Sequence, residues 1–209
     1  MSIAVERIQL AGGPPGLAVQ CLRNIGPYEN NIFIVSDEAS LEAYVIDAGP
    51  EPTAIAEAAS GLNVKAILIT HGHRDHHEHV AELKALLHVP VAIGMDDAAQ
   101  LSVDPDFLIV DQQTLSFGPH ALVAIHTPGH TPGSTCFLYD RHLFSGDTLF
   151  PGGPGNTQKD PVRFERIIAS VRDRLFVLPD ETAVHPGHGR DTTIGTERPH
   201  LDEWIARGW

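Results

Sequence analysis

The segment Val64-Lys65-Ala66-Ile67-Leu68-Ile69-Thr70-His71-Gly72-His73-Arg74-Asp75-His76 decides the fold. Residues 64–69 form an apolar run of strand length, which suits a strand covered on both faces. Beyond the cluster, Val80, Leu83, Leu86 and Leu87 recur on one helical face. The His-rich segment therefore occupies a loop between a buried strand and a helix, where open α/β sheets place their sites. Three imidazoles and one carboxylate within six residues are nitrogen and oxygen donors suited to a borderline divalent cation such as zinc. Alternate residues of an extended loop point the same way, so His71 and His73 can share one ion. Asp75 and His76 lie past a bend and can face a second.

The same theme recurs outward in both directions. Upstream, residues 17–22, 31–35 and 43–46 read as short strands, and 51–59 as a helix opened by Pro52. Downstream, 91–93 reads as a strand and 96–101 as a short helix. Strands over 121–125 and 135–139 flank His126-Thr127-Pro128-Gly129-His130. A strand over 142–144 ends at Gly146-Asp147, and one over 182–184 feeds Pro186-Gly187-His188-Gly189. Residues 151–161 are rich in glycine and proline, too irregular for a regular element. Phe164, Ile167, Ile168, Val171 and Leu175 mark a second amphipathic helix, and Leu201, Trp204 and Ile205 a short final one. Two ions need more donors than the first loop supplies. His130, Asp147 and His188, each at a strand end beside glycine, complete the sets: His71, His73 and His130 for one ion, Asp75, His76 and His188 for the other, with Asp147 between them.

Composition narrows the classes. The 209 residues suit one domain, assigned to residues 1–209, with enough chain for a sizeable core. Fourteen basic against 27 acidic residues give a net charge of −13, which disfavours a phosphate backbone as partner. No apolar run reaches the roughly 18 residues of a membrane span. The start, Met1-Ser2-Ile3-Ala4-Val5-Glu6-Arg7, lacks a basic segment followed by an apolar one, so no secretory signal is expected. Cys21 and Cys136 are read as buried free thiols, in keeping with a cytoplasmic protein.

His71-x-His73-x-Asp75-His76 resembles the signature of the metallo-β-lactamase superfamily. Val45-Ile46-Asp47-Ala48-Gly49, His126-Thr-Pro-Gly-His130, Ser145-Gly146-Asp147-Thr148-Leu149-Phe150 and Pro186-Gly187-His188-Gly189 followed by Thr192–Glu197 are similar to its other motifs, in order. The resemblance implies an α/β (α+β) fold, a four-layer αββα sandwich. It also implies a structural Asp47 that orients the His71 loop. His126 and His185 are expected to support the site, and His77, His79, His88, His120, His142 and His200 to be solvated.

Among the superfamily, the short glyoxalase II-like proteins are most similar. The expectation is a hydroxyacylglutathione hydrolase-like thioesterase with two divalent ions, zinc first and iron or manganese as alternatives. Such ions activate water at neutral pH, and Asp75 is the candidate to hold or shuttle a proton. The expected partner is a small acyl thioester or related ester, with neither nucleic acid nor membrane. The oligomeric state is left open. A single domain without the C-terminal helical extension of full-length glyoxalase II is the expectation. Asn156 stands near the position of a cation that binds glutathione there, for which Arg163 or Lys159 could substitute. Rivals on the same fold are a persulfide dioxygenase with one iron on His71, His130 and Asp147, a lactonase, and a non-catalytic metal-binding domain.

Overall fold

The computed structural model describes residues 5–8 and 16–208. Residues 1–4 of the segment read above for the absence of a secretory signal lie outside the described residues. A first sheet has the order β1 (Val5–Ile8), β2 (Leu17–Ile25), β3 (Asn30–Asp37), β4 (Glu42–Ile46), β5 (Asn63–Ile69), β6 (Val91–Gly94) and β7 (Phe107–Ile109). Its first four strands pair antiparallel, and β4 through β7 pair parallel. The second sheet starts with β8 (Thr114–Phe117), β9 (His120–His126), β10 (Thr135–Tyr139) and β11 (His142–Gly146). A hairpin of β12 (Leu149–Phe150) and β13 (Gly153–Pro154) follows, and β14 (Ala183–Pro186) and β15 (Thr192–Thr193) complete the sheet beside β11.

Period-two alternation builds the layers. On β3, Phe33 and Val35 face one way and Ile32 and Ile34 the other; on β5, Ala66 and Leu68 oppose Ile67 and Ile69. The first set meets Phe137, Tyr139, Leu122, Ala124 and Phe144 of the second sheet and forms the core between the sheets. The second set lies under helices α1 (Pro52–Ala58) and α3 (Val80–Leu87), with the one-turn helix α2 (Arg74–His77) just before α3. Cys136 and Leu143 of the second sheet lie under α4 (Pro161–Ser170) and, past the one-turn α5 (Ile194–Glu197), Trp204 of α6 (Leu201–Arg207). The result is the expected αββα sandwich.

Several expectations need correction. Residues 151–161 contain strand structure, because Pro151-Gly152 turns the chain back and pairs Phe150 with Gly153. The second amphipathic stretch leaves α-geometry at its end, where Val171–Leu175 form a π turn. Leu86 and Ile205 are exposed, off the apolar faces of their helices. His77, His120 and His142 are buried, because each has a polar partner that offsets desolvation. His77 Nε2 lies 3.2 Å from the Gly72 carbonyl, His120 Nδ1 2.7 Å from the Tyr139 hydroxyl, and His142 Nδ1 3.1 Å from His185 Nε2. Cys21 and Cys136 are buried free thiols, and burial pushes the first up to about 12 and the second to about 11. Among the described residues, no helix is long and apolar enough to cross a membrane.

Candidate metal centre

One end of the sandwich gathers the loops that leave β4, β5, β9, β11 and β14. His71 follows β5 after Thr70, and the backbone then bends into α2, which presents Asp75 and His76. His130 sits in the β9–β10 turn, Asp147 follows β11, and His188 follows β14. The last two loops approach closely because Gly187 has no side chain. A Cβ there would lie 2.6 Å from both Asp147 Oδ1 and His76 Cε1.

All seven expected residues converge. Three groups each bring their donor atoms within 4.8 Å of one another: His71, His73 and His130; His71, His76 and Asp147; and Asp75, His76 and His188. Asp147 lies centrally, with Oδ2 3.4 Å from His130 Nε2, 3.6 Å from His188 Nε2 and 4.0 Å from His71 Nε2, and Oδ1 3.5 Å from His76 Nε2. Asp75 Oδ2 stands 3.2 Å from His188 Nε2 and 3.4 Å from His76 Nε2.

The outer partners of these rings select their tautomers. His76 Nδ1 lies 2.8 Å from Asp47 Oδ2, His130 Nδ1 2.9 Å from the Asn156 carbonyl, and His188 Nδ1 2.8 Å from the Tyr28 carbonyl. These are acceptors, so each Nδ1 carries the hydrogen. His71 Nδ1 lies 3.0 Å from the Thr70 hydroxyl, whose own hydrogen goes to Asp47 Oδ2 at 3.0 Å. The four Nε2 lone pairs are thereby turned inward. His71 Nε2, His130 Nε2 and Asp147 Oδ1 are buried there without a hydrogen-bond partner. His76 Nε2 faces His188 Nε2 at 3.1 Å, a repulsive contact for two lone pairs. Imidazole and carboxylate donors left unsatisfied around a common space fit a divalent cation.

Electrostatics keep His71, His73 and His130 neutral, as that reading requires, and favour positive charge beside the carboxylates at His76 and His188. Burial, aided by neighbouring imidazoles, holds His71 well below its ordinary value; burial also lowers His73 and brings His130 down to about 4. Burial pulls His76 and His188 down too, but carboxylates outweigh it. Asp147 and Asp47 push His76 up to about 9, and Asp75 and Asp147 raise His188. Burial works to raise Asp75, but His188, His76 and Asn30 overcome it and hold the carboxyl below its usual range.

Asp47 occupies the supporting place expected of it: Oδ1 accepts from the Thr70 N–H at 2.8 Å while Oδ2 serves Thr70 and His76. His185 is buried beside the last loop, and half-buried His126 braces its own turn through the Pro132 carbonyl at 3.0 Å. His79 is half-buried, and His88 and His200 are exposed. Arg163 is engaged elsewhere, donating to the Gly129 and His130 carbonyls, so it braces the His130 turn. Asn156 contributes its backbone carbonyl to His130 and is otherwise exposed, as is Lys159.

Other supporting residues carry little sequence signal. Asn30 Nδ2 donates to Asp75 Oδ2 at 3.0 Å, and Asn31 Nδ2 to the Pro186 and Gly189 carbonyls at 3.0 and 2.8 Å. A pair of asparagines opening a strand is the one hint. A cleft of about 420 Å³ lined by Tyr28, His73, Arg74, Asp75 and Glu78 opens beside the centre. A second cleft, of about 710 Å³, touches Pro151 and Gly152, but Arg190–Thr193 and α6 form most of its wall.

Fold and site together define a metallo-hydrolase, and the chain belongs to the metallo-beta-lactamase superfamily, whose family model matches residues 25–188. Within it, the chain falls with the glyoxalase II-like group. It is 37% identical to a hydroxyacylglutathione hydrolase of Bartonella quintana, over 77% of this chain and 63% of that one. It is 31% identical to the hydroxyacylglutathione hydrolase GloC of Haemophilus influenzae, over 82% and 91%. Among solved structures, TTHA1623 in a di-iron-bound form shares 34% identity at a TM-score of 0.68, covering 83% of this chain and 94% of that one. ETHE1 from Myxococcus xanthus, at 23% identity, shares the fold with a TM-score of 0.76, covering 99% and 90%.

Proposed function

We propose that this protein is a dinuclear metal-dependent thioesterase acting on a small acyl thioester of the hydroxyacylglutathione type. The inward-facing, unpartnered Nε2 lone pairs around Asp147 carry the reading. His71, His73 and His130 would hold one divalent ion, Asp75, His76 and His188 the other, and Asp147 would bridge them, with zinc as the first candidate. Such ions supply Lewis acidity that activates water and polarises a carbonyl near neutral pH. Asp75, kept ionised by its neighbours, is suited to hold a cation rather than to deliver a proton to a poor leaving group. A thiolate leaves without that proton, which favours a thioester over an amide. Asn30 orients Asp75 for this role. The activity of the named hydroxyacylglutathione hydrolases supports the same substrate class.

A persulfide dioxygenase with a single iron is the second reading on the same fold. It needs only His71, His130 and Asp147. The additional group of Asp75, His76 and His188 favours the dinuclear reading. Elemental analysis alongside a hydroxyacylglutathione hydrolysis assay separates the two. The expected result is about two equivalents of divalent metal per chain with thioester turnover, and Asp147→Ala lowers metal content and abolishes turnover while the circular dichroism stays native. About one equivalent of iron, with oxygen uptake on a persulfide and no hydrolysis, replaces the proposal by the dioxygenase.

A further inference from the structure

The group His71, His73 and His130 is assembled across the two sheets. His71 and His73 belong to the loop after β5 of the first sheet, and His130 to the β9–β10 turn of the second. Something must set the distance between these loops to a fraction of an ångström, because coordination distances are sharp. A direct backbone bond, Thr135 N to Thr70 O at 2.9 Å, joins them at their bases. At their tips the link is a side chain from a third element.

Asp97 is fully buried in the 3-10 turn Met95–Gln100 that follows β6. Its Oδ2 accepts from the backbone N–H of Gly72, between His71 and His73, at 2.8 Å. The same oxygen accepts from the hydroxyl of Thr131, next to His130, at 2.5 Å. Its Oδ1 accepts from the Gly133 N–H at 2.9 Å and from Gln100 Nε2 at 3.3 Å. Four donors thus converge on one carboxylate, as many as its lone pairs can serve. Among the described residues no cation pairs with it, so its desolvation is offset by these bonds alone. The first loop lies against this turn without room for a side chain: a Cβ on Gly72 would come within 2.6 Å of the Gln100 amide.

We infer that Asp97 is a positioning residue that clamps the Gly72 backbone to the Thr131 hydroxyl and the Gly133 backbone, and thereby sets His73 and His130 at the spacing one ion requires. It touches neither ion nor substrate in this role and acts through the loops. The inference rests on the dinuclear reading. Outer partners of metal ligands typically contribute 10- to 100-fold in metal affinity, and Asp97 holds two ligand-bearing loops at once. Asn in its place keeps the shape but offers one accepting oxygen, so an amide N–H2 is turned against one pair of donors.

The test is zinc affinity by chelator competition, with the cobalt-loaded absorption spectrum as a second readout. Asp97→Asn is expected to weaken one of the two zinc sites about 10- to 100-fold and to shift the cobalt spectrum, with the other site close to wild type. Thr131→Val, which removes a single donor and leaves the carboxylate, is expected to weaken the same site by a smaller factor. It also covers the case in which Asp97→Asn fails to fold. Val19→Ala, a core deletion in β2, which carries none of the ligand loops, serves as the stability control and is expected to lower Tm without moving zinc affinity. The inference is overturned if Asp97→Asn and Thr131→Val retain both sites at wild-type affinity and spectrum, or lose affinity only as the core control does. Failure of the dinuclear reading is a separate result: the wild-type chain then holds fewer than two ions, whatever Asp97 does.

Discussion

The site depends on which nitrogen of each imidazole carries the hydrogen, and Asp47 makes that choice for His76. Its Oδ2 is an acceptor 2.8 Å from Nδ1, which leaves Nε2 free. In Asp47→Asn the amide can keep its oxygen on the Thr70 N–H only by turning N–H2 toward His76. His76 then takes the hydrogen on Nε2, aimed into the centre. Metal affinity at the Asp75–His76–His188 group is expected to fall about 10- to 100-fold, with a much smaller loss of stability than in Asp47→Ala. That variant leaves three buried donors unpaired, each costing about 1–3 kcal/mol. Titration with zinc and thermal melts of the metal-free proteins check both parts. Equal affinity in Asp47→Asn and wild type would refute the tautomer argument. The resemblance of its motif made this position visible as a supporting residue, but its partners come from β5 and α2.

Between elements, the pairing of β11 with β14 carries a buried network that sets the approach to His188. His142 Nδ1 meets His185 Nε2, whose Nδ1 lies 2.9 Å from Asp191 Oδ2, and Arg23 of β2 closes the chain on Asp191 at 2.7 Å. The rings of His142 and His185 are stacked 7° from parallel. With His185 hydrogen-bonded through Nδ1 to the carboxylate, His142 donates to its Nε2. Burial first, and His185 next to it, bring His142 down to about 4 from the usual 6.5. The unfolded chain takes up this proton near pH 6.5 and the folded chain only near 4, so the native state is fully favoured above 6.5 and loses stability as pH falls through that window. Asn at position 142 can still donate to His185 and does not titrate. His142→Asn is therefore expected to flatten the fall in urea midpoint between pH 6.5 and 4.5. Parallel curves for the two proteins would assign the acid limb to other groups. Sequence reading placed His142 in solvent, because one histidine at the start of a short strand shows neither its strand partner nor its burial.

At the scale of the whole molecule, the candidate centre is a seam between the sheets. The first sheet supplies His71, His73, Asp75 and His76, the second His130, Asp147 and His188. An ion bound across that seam binds the folded chain alone, so occupancy adds stability by mass action, about 4 kcal/mol at a thousandfold excess over Kd. For a chain of this length that corresponds to roughly 10 °C in Tm. Chelation is expected to lower Tm by that order, with recovery on adding zinc, as read by calorimetry. In Asp147→Ala, which has lost the shared ligand, the same treatment is expected to move Tm far less. A wild-type Tm indifferent to chelation would separate the site from the fold.

The sequence by itself determined the candidate ligand set and, through the resemblance its motifs carry, the layered architecture. A continuous apolar run such as residues 64–69 needs a strand covered on both faces, and the resemblance of the strand-end motifs gives their seven donors one common destination. It also determined that Asp47 supports rather than binds, through the motif it belongs to. Tertiary structure alone decided what holds those donors in place. Asn30, Asn31, Asp97, the Tyr28 and Asn156 carbonyls and Arg163 lie up to 160 residues from the groups they orient, and a hydrogen bond leaves no periodicity in a chain. The buried environments of His77, His120 and His142 were hidden for the same reason, since burial belongs to the packed neighbours and not to the residue. The strand pairing within residues 149–154 depends on a two-residue turn too short to register as a pattern. Local spacing shows which atoms can bind a cation; only the packed sheets show which nitrogen faces it.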